Sequence, residues 1–93
     1  MGSLINYNLA ELKEKYDTPI FIETGTAFGD GIKHALKFNF DKIISIEIMI
    51  NQANLMKEYF QNDKNVEIIC GNSLEVFERL LPYINENAIF WLD

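Results

Sequence analysis

The chain has 93 residues, a net charge of −6 and 48% hydrophobic residues. That length suits one small domain rather than two, and the apolar content supports a packed core rather than a disordered chain. The acidic balance and the scattered basic residues argue against nucleic acid as a partner, because phosphate backbones are bound by clustered Lys and Arg.

The single cysteine, Cys70, excludes an intramolecular disulfide bond and a cysteine-rich zinc site. We therefore expect a reducing, cytoplasmic setting. The first six residues lack the basic start and the apolar run of a signal peptide. No apolar stretch approaches the ~20 residues that span a bilayer, so we expect no membrane segment.

Apolar runs alternate with helix-like patterns along the chain. Asn8, with Glu11 three residues later, is typical of a helix start and predicts a short helix over 8–16, which Pro19 ends. The fully apolar run 20–22 predicts a strand that is covered on both faces. Three further strands are predicted over the mainly apolar segments 43–48, 66–70 and 88–92.

Helical spacing of apolar residues predicts a helix in each connection between strands. The inner positions are Ile32, Ala35 and Leu36 within 30–38, then Ala53, Met56 and Phe60 within 50–61, then Leu74, Phe77, Leu80 and Leu81. We expect Ser73 to cap the last of these helices. Alternation of strands and helices predicts an α/β fold with a parallel sheet and right-handed crossovers.

The most informative segment follows the first apolar run and reads Glu23-Thr24-Gly25-Thr26-Ala27-Phe28-Gly29. Strand, glycine-rich turn and helix is how a doubly wound sheet binds a nucleotide, because bare backbone lets the ligand approach. The carboxylate of Glu23 would not help to bind an anionic pyrophosphate, whereas it could form an ion pair with a ligand that carries a positive charge. The segment therefore favours a nucleotide-like ligand with a positive charge.

Each later strand also ends at a polar residue. Glu47 lies about 20 residues beyond the glycine turn, the spacing at which an acid holds ribose hydroxyls. Asn72 follows the third strand, and its amide offers a donor and an acceptor to an adenine edge. Asp93 follows the fourth strand. Because the carboxyl ends of parallel strands meet at one edge of a sheet, we expect these residues to converge on one crevice.

In the order and spacing of these motifs, the chain from Pro19 to Asp93 resembles the N-terminal part of a class I S-adenosylmethionine-dependent methyltransferase. The segment from Glu23 to Gly29 is similar to that family's first motif, acid-x-Gly-x-Gly-x-Gly. The resemblance implies that Gly25, Ala27 and Gly29 line the methionine part of the cofactor. It also implies that Glu23 acts near the cofactor's ammonium group.

The same resemblance implies roles for the later residues. Glu47 would hold the ribose hydroxyls, Asn72 would lie beside the adenine amine, and Asp93 would be a catalytic residue near the methyl donor. In metal-dependent members an acid at the position of Asp93 binds a divalent ion, so Asp93 is also a candidate metal ligand. Phe28 is expected either to cover the cofactor or simply to pack. Ser73, beside Asn72, completes the predicted cofactor-binding set.

Two residues depart from the family's pattern. Ala27 replaces the middle glycine, which narrows the room for the cofactor by one methyl group, and Asn72 replaces the commoner Asp, which removes a charge from the adenine contact. Family members also continue past the fourth strand with segments that supply most of the substrate site. The resemblance thus implies a Rossmann-like open sheet in the order 3-2-1-4 over residues 1–93, with helices on both faces, truncated after strand four.

The expected activity is transfer of a sulfonium methyl group to a small-molecule or sugar acceptor, because residues 89–93 resemble a subgroup that acts on such substrates. One alternative is a truncated, non-catalytic module that binds cofactor or forms a homodimer through the open apolar edge of strand four. Another is an NAD-binding half-domain, which fits the glycines and Glu47 but sets Glu23 against a pyrophosphate.

Overall fold

A computed structural model of the chain describes residue 14, residues 19–83 and residues 88–91. Glu14 is helical, and the rest of the helix expected over 8–16 lies outside the described residues. Leu92 and Asp93 lie outside them as well. In the described part of the chain, no helix has both the length and the apolar character needed to cross a membrane.

The strands form one parallel sheet in which the first strand is central. Their bounds are β1 Ile20–Thr24, β2 Lys42–Glu47, β3 Val66–Cys70 and β4 Ala88–Trp91. The order across the sheet is β3-β2-β1-β4, and Ile22 of β1 lies opposite Ile44 on one side and Phe90 on the other. This confirms the predicted α/β fold, the Rossmann-like open sheet and its strand order.

Each connection between consecutive strands contains a helix. The helices are α1 Asp30–Ala35, α2 Ile50–Tyr59 and α3 Ser73–Leu80. Short 3₁₀ turns follow α1 over Leu36–Phe38 and α3 over Leu81–Tyr83. The helix expected over 30–38 is therefore α-helical only as far as Ala35.

Each face of the sheet carries its own apolar cluster. On one face α1 and α2 cover β1 to β3, and the buried members include Phe21, Ile32, Ala35, Ile43, Ala53, Met56, Phe60 and Ile68. On the other face Val76 of α3 packs against Ile22, Ile44 and Ile46. The apolar residues of β1 and β2 divide between the two clusters because successive strand residues point to opposite faces. Helices thus lie on both faces, as predicted.

The buried stripe of α3 differs from the prediction. Val76 is its buried residue, with Phe77 and Leu80 packed beside it, whereas Leu74 and Leu81 are exposed. Positions 74, 77 and 81 and positions 76, 77 and 80 are both apolar sets at helical spacing. The periodicity is therefore compatible with either set being buried. The contact of Val76 with the sheet determines that the second set is the buried one.

Asn72, and not Ser73, is the N-cap of α3. The backbone of Asn72 is extended, and its Oδ1 accepts the backbone N–H of Leu74 at 2.9 Å. Ser73 is the first helical residue. The prediction that Ser73 caps this helix was therefore wrong by one position. The side chain of Asn72 satisfies one of the N–H groups that a helix leaves unpaired at its start.

Candidate ligand-binding cleft

An open cleft of about 240 Å³ lies at the carboxyl ends of β1, β2 and β3. Its lining residues are Thr24, Gly25, Ile46, Glu47, Ile48, Gly71, Asn72 and Ser73. Pockets that enclose a small molecule usually measure ~300–1,000 Å³, so a cleft of this size holds part of a nucleotide-sized ligand. Four predicted cofactor-binding residues, Gly25, Glu47, Asn72 and Ser73, thus border a single cavity.

The loop between β1 and α1 adopts a conformation that favours glycine. Gly25, Ala27 and Gly29 have φ angles of +77°, +48° and +85°. Glycine reaches such angles freely, whereas a residue with a Cβ loses about 1–2 kcal/mol there. Ala27, at the position where the resembled family has glycine, therefore carries backbone strain in addition to its extra methyl group.

Three consecutive residues of this loop are hydrogen-bonded to three consecutive residues of β2. The pairs are Gly25 N–H to the Ile46 carbonyl (2.8 Å), Thr26 Oγ1 with Ser45 Oγ (2.7 Å), and Ala27 N–H to Glu47 Oε1 (3.3 Å). The side chain of Gln52, in the first turns of α2, donates to the Ala27 carbonyl. The second strand and the helix after it therefore fix the course of the loop.

Glu47 joins the glycine loop to the start of α2. It is only 7% exposed. Its Oε1 accepts the N–H of Ala27, and its Oε2 accepts the N–H of Met49 at 2.9 Å. An ionised carboxylate offers about four acceptor positions, so two remain for the hydroxyl groups of a ligand in the cleft that Glu47 lines.

Glu23 lies beneath the loop rather than in the cleft lining. It is 4% exposed, and its Oε1 accepts the hydroxyl of Ser45 at 2.8 Å. Glu23 and Ser45 are opposite each other in the register of β1 and β2, which places them on the sheet face that α1 and α2 cover. The strand continues one residue past Glu23, so Thr24 rather than Glu23 reaches the cleft.

The remaining loop residues of the predicted set also lie outside the cleft lining. Phe28 is 74% exposed, so it does not pack in the core. Gly29 is buried, and a Cβ added to it would lie 2.7 Å from the Phe60 ring. Close packing between the loop and α2 therefore requires glycine at position 29, whatever its relation to a ligand.

Sequence reasoning missed part of the cleft, namely Thr24, Ile46, Ile48 and Gly71, together with Gln52 of the loop contact. Ile48 is 66% exposed beside Glu47 and gives the cleft an apolar surface. An apolar residue directly after a strand-end acid was the available signal. Nothing in the sequence indicates the contact between Gln52 and Ala27.

Asp93, the predicted catalytic residue and metal ligand, lies outside the described residues. Within residues 19–83 and 88–91, no group of three or more His, Cys, Asp or Glu side chains is arranged to hold a metal ion. The catalytic and metal-binding roles of Asp93 therefore stay predictions.

Comparison of the chain with models of known protein families gave no match, and comparison with curated proteins gave none either.

Proposed function

We propose that this domain binds S-adenosylmethionine as a class I methyltransferase does and directs the methyl group to a small-molecule or sugar acceptor. The supporting observation is that Gly25, Glu47 and Asn72, each predicted separately as a cofactor-binding residue, border one cleft at the ends of three adjacent strands. In such a complex, Glu47 would hold the ribose, and Ile48 and Asn72 would contact the base.

The chemistry of the lining suits such a ligand. Glu47 retains acceptor capacity for two ribose hydroxyls, and Gly25 presents exposed backbone without a side chain. The Oδ1 of Asn72 caps α3, but this oxygen has a second lone pair and the exposed amide has two N–H donors. These groups match the donors and acceptors of an adenine edge.

S-adenosylmethionine, when bound, supplies a methyl group on a positively charged sulfur that a nucleophile can displace. The residues of this chain would contribute position and orientation rather than covalent chemistry. The carboxylates of Glu23 and Glu47 would add a favourable potential for a sulfonium cation. The setting we propose is a reducing cytoplasm, on the basis of the single cysteine.

An NAD-binding half-domain is a second candidate, because the position of Glu23 weakens one objection to it. Because Glu23 is buried against Ser45 and does not line the cleft, its carboxylate would not face a pyrophosphate there directly. The first turn of α1, however, carries Asp30, and a carboxylate at a helix start opposes the binding of a phosphate anion. We therefore rank NAD below S-adenosylmethionine.

A self-associating module is the other alternative. β4 pairs with β1, and no described strand pairs with the opposite edge of β4. Phe90 on this strand is 42% exposed and contacts Phe77 edge-on. Open strand edges readily pair with another chain. Sedimentation equilibrium tests this alternative, which requires a dimer and is excluded by a monomer over the whole concentration range.

Thermal-shift measurements with a panel of ligands test the proposal and its main rival together. We expect S-adenosylmethionine and S-adenosylhomocysteine to raise the Tm, adenosine to raise it less, and NAD to leave it unchanged. A bound ligand must stabilise the folded chain by mass action. A shift with NAD alone would favour the half-domain, and no shift with any ligand would remove both candidates.

A further inference from the structure

Three polar side chains are buried together beneath the glycine loop. Ser45 is fully buried, Thr26 is 2% exposed and Glu23 is 4% exposed. The Ser45 Oγ lies 2.7 Å from the Thr26 Oγ1 and 2.8 Å from the Glu23 Oε1. Buried polar groups are costly unless they are hydrogen-bonded, and here the Ser45 hydroxyl is hydrogen-bonded to both of the other groups.

The direction of these hydrogen bonds follows from the donor count. A serine has one O–H, and that of Ser45 donates to Glu23. Ser45 must therefore accept from Thr26, so the hydrogen bonds run from Thr26 through Ser45 to Glu23. Each hydroxyl has one orientation, which fixes the rotamers of both side chains.

Thr26 is the loop residue that this arrangement holds. Its neighbours Gly25 and Ala27 both have positive φ, and its carbonyl accepts the N–H of Gly29 at 2.9 Å. A fixed Thr26 side chain therefore restrains the turn on both sides. Gly25, which lines the cleft, is bonded directly to Thr26 in the chain. The backbone conformation of Gly25 therefore depends on the position of Thr26.

We propose that Thr26 and Ser45 are positioning residues, whose hydroxyls hold the glycine loop in the conformation that accepts the ligand. This inference rests on the proposed function and deepens it, because it assigns part of the ligand affinity to two residues that do not touch the cleft. Neither residue belonged to the predicted site. The competing explanation is that Thr26 and Ser45 only fill space, in which case valine serves as well as threonine at position 26.

The test uses Thr26→Val, which keeps the shape and removes the hydroxyl, and Thr26→Ser, which keeps the hydroxyl. Phe40→Leu, in the core just before the start of β2 and away from the glycine loop, is the control for a general loss of stability. Amide hydrogen exchange is measured at Gly25 and Gly29 in the free protein, with Ile44 of β2 as the internal reference. Affinity for S-adenosylhomocysteine is measured by calorimetry on the same variants.

We expect Thr26→Val to speed exchange at Gly25 and Gly29 about tenfold relative to Ile44 and to weaken ligand affinity by a similar factor, as loss of one buried hydrogen bond predicts. Thr26→Ser should keep wild-type values, and Phe40→Leu should leave the exchange of the loop relative to Ile44 unchanged. Loop exchange in Thr26→Val equal to that of the wild type would overturn the inference. Faster loop exchange with unchanged affinity would also overturn it.

The two proposals fail in different ways. If the wild-type chain does not bind S-adenosylhomocysteine, the proposed function fails, and the assignment of the two hydroxyls to ligand binding fails with it. The exchange rates of the free protein still show whether they order the loop. If the wild type binds and the Thr26→Val variant binds equally well, only the positioning role fails.

Discussion

Glu47 accepts the backbone N–H of Ala27, twenty positions earlier in the chain, at 3.3 Å. Its other carboxylate oxygen accepts the N–H of Met49. The residue proposed to hold a ribose is thus also the residue that fixes the outer side of the glycine loop. A ligand hydroxyl that binds Glu47 shares the carboxylate with Ala27, so ligand binding and loop position are linked through one side chain.

The structural part of this role can be measured without a ligand. We expect Glu47→Gln to lower the free energy of unfolding by about 1–2 kcal/mol, because the amide group replaces one of two acceptors that face backbone N–H groups. Urea denaturation measures the change. The control is Glu58→Gln on the exposed side of α2, which removes the same charge and should alter stability by less than about 0.5 kcal/mol. Equal losses in both variants would contradict the assigned contacts.

Gly29, in the glycine loop, and Gly31, in α1, should respond oppositely to replacement by alanine. Gly29→Ala introduces a Cβ at a φ of +85° and 2.7 Å from the Phe60 ring. We expect it to lower the free energy of unfolding by about 2–4 kcal/mol. Gly31 is the second residue of α1, where alanine is favoured by at most the roughly 0.5–1 kcal/mol of a helix interior. Thermal denaturation should therefore give a lower Tm for Gly29→Ala and a slightly higher one for Gly31→Ala. A lower Tm for both variants would show that the loop conformation does not cause the destabilisation of Gly29→Ala.

The strain at Ala27 predicts a stabilising change. Ala27→Gly removes about 1–2 kcal/mol of backbone strain from the folded state. It also raises the conformational entropy of the unfolded chain, which lowers stability by about 0.5–1 kcal/mol. We therefore expect a net gain of about 0.5 kcal/mol in chemical denaturation. The matched control is Ala53→Gly, in the buried part of α2, which should cost about 1 kcal/mol or more. Destabilisation by Ala27→Gly would argue against a positive φ at this residue.

The cap of α3 gives a direct comparison of two neighbouring residues. Asn72→Ala removes the acceptor of the Leu74 N–H and should lower the free energy of unfolding by about 1 kcal/mol. Asn72→Asp should keep the stability, because aspartate caps equally well. Ser73→Ala should change stability by less than about 0.5 kcal/mol. A greater loss for Ser73→Ala than for Asn72→Ala would restore Ser73 as the cap.

The sheet could be predicted because its signal is local. The run Ile20–Ile22 is apolar at every residue, as burial on both faces requires, and the alternation of strands and helices leaves few topologies. The cleft positions of Glu47 and Asn72 follow from the rule that open parallel sheets bind ligands at the carboxyl ends of their strands, since Glu47 ends β2 and Asn72 lies two residues after β3.

What the sequence could not predict depends on packing across the chain. Leu74 and Val76 point to opposite sides of α3, and only contact with the sheet makes the side of Val76 the buried one. Glu23 stands at a strand end in the sequence, but the pairing of Glu23 with Ser45 turns its carboxylate away from the cleft. The residue type of Ala27 gives no sign that its φ is positive, because alanine rarely adopts that conformation.

The most direct test of the account is calorimetric titration of the chain and of Glu47→Gln with S-adenosylhomocysteine. The account predicts saturable one-to-one binding to the wild type and an affinity about 10- to 100-fold lower for Glu47→Gln, because hydrogen bonds to a charged acceptor contribute about 1.5–3 kcal/mol. Absence of binding to the folded wild-type chain, or equal affinity in the two proteins, would contradict it.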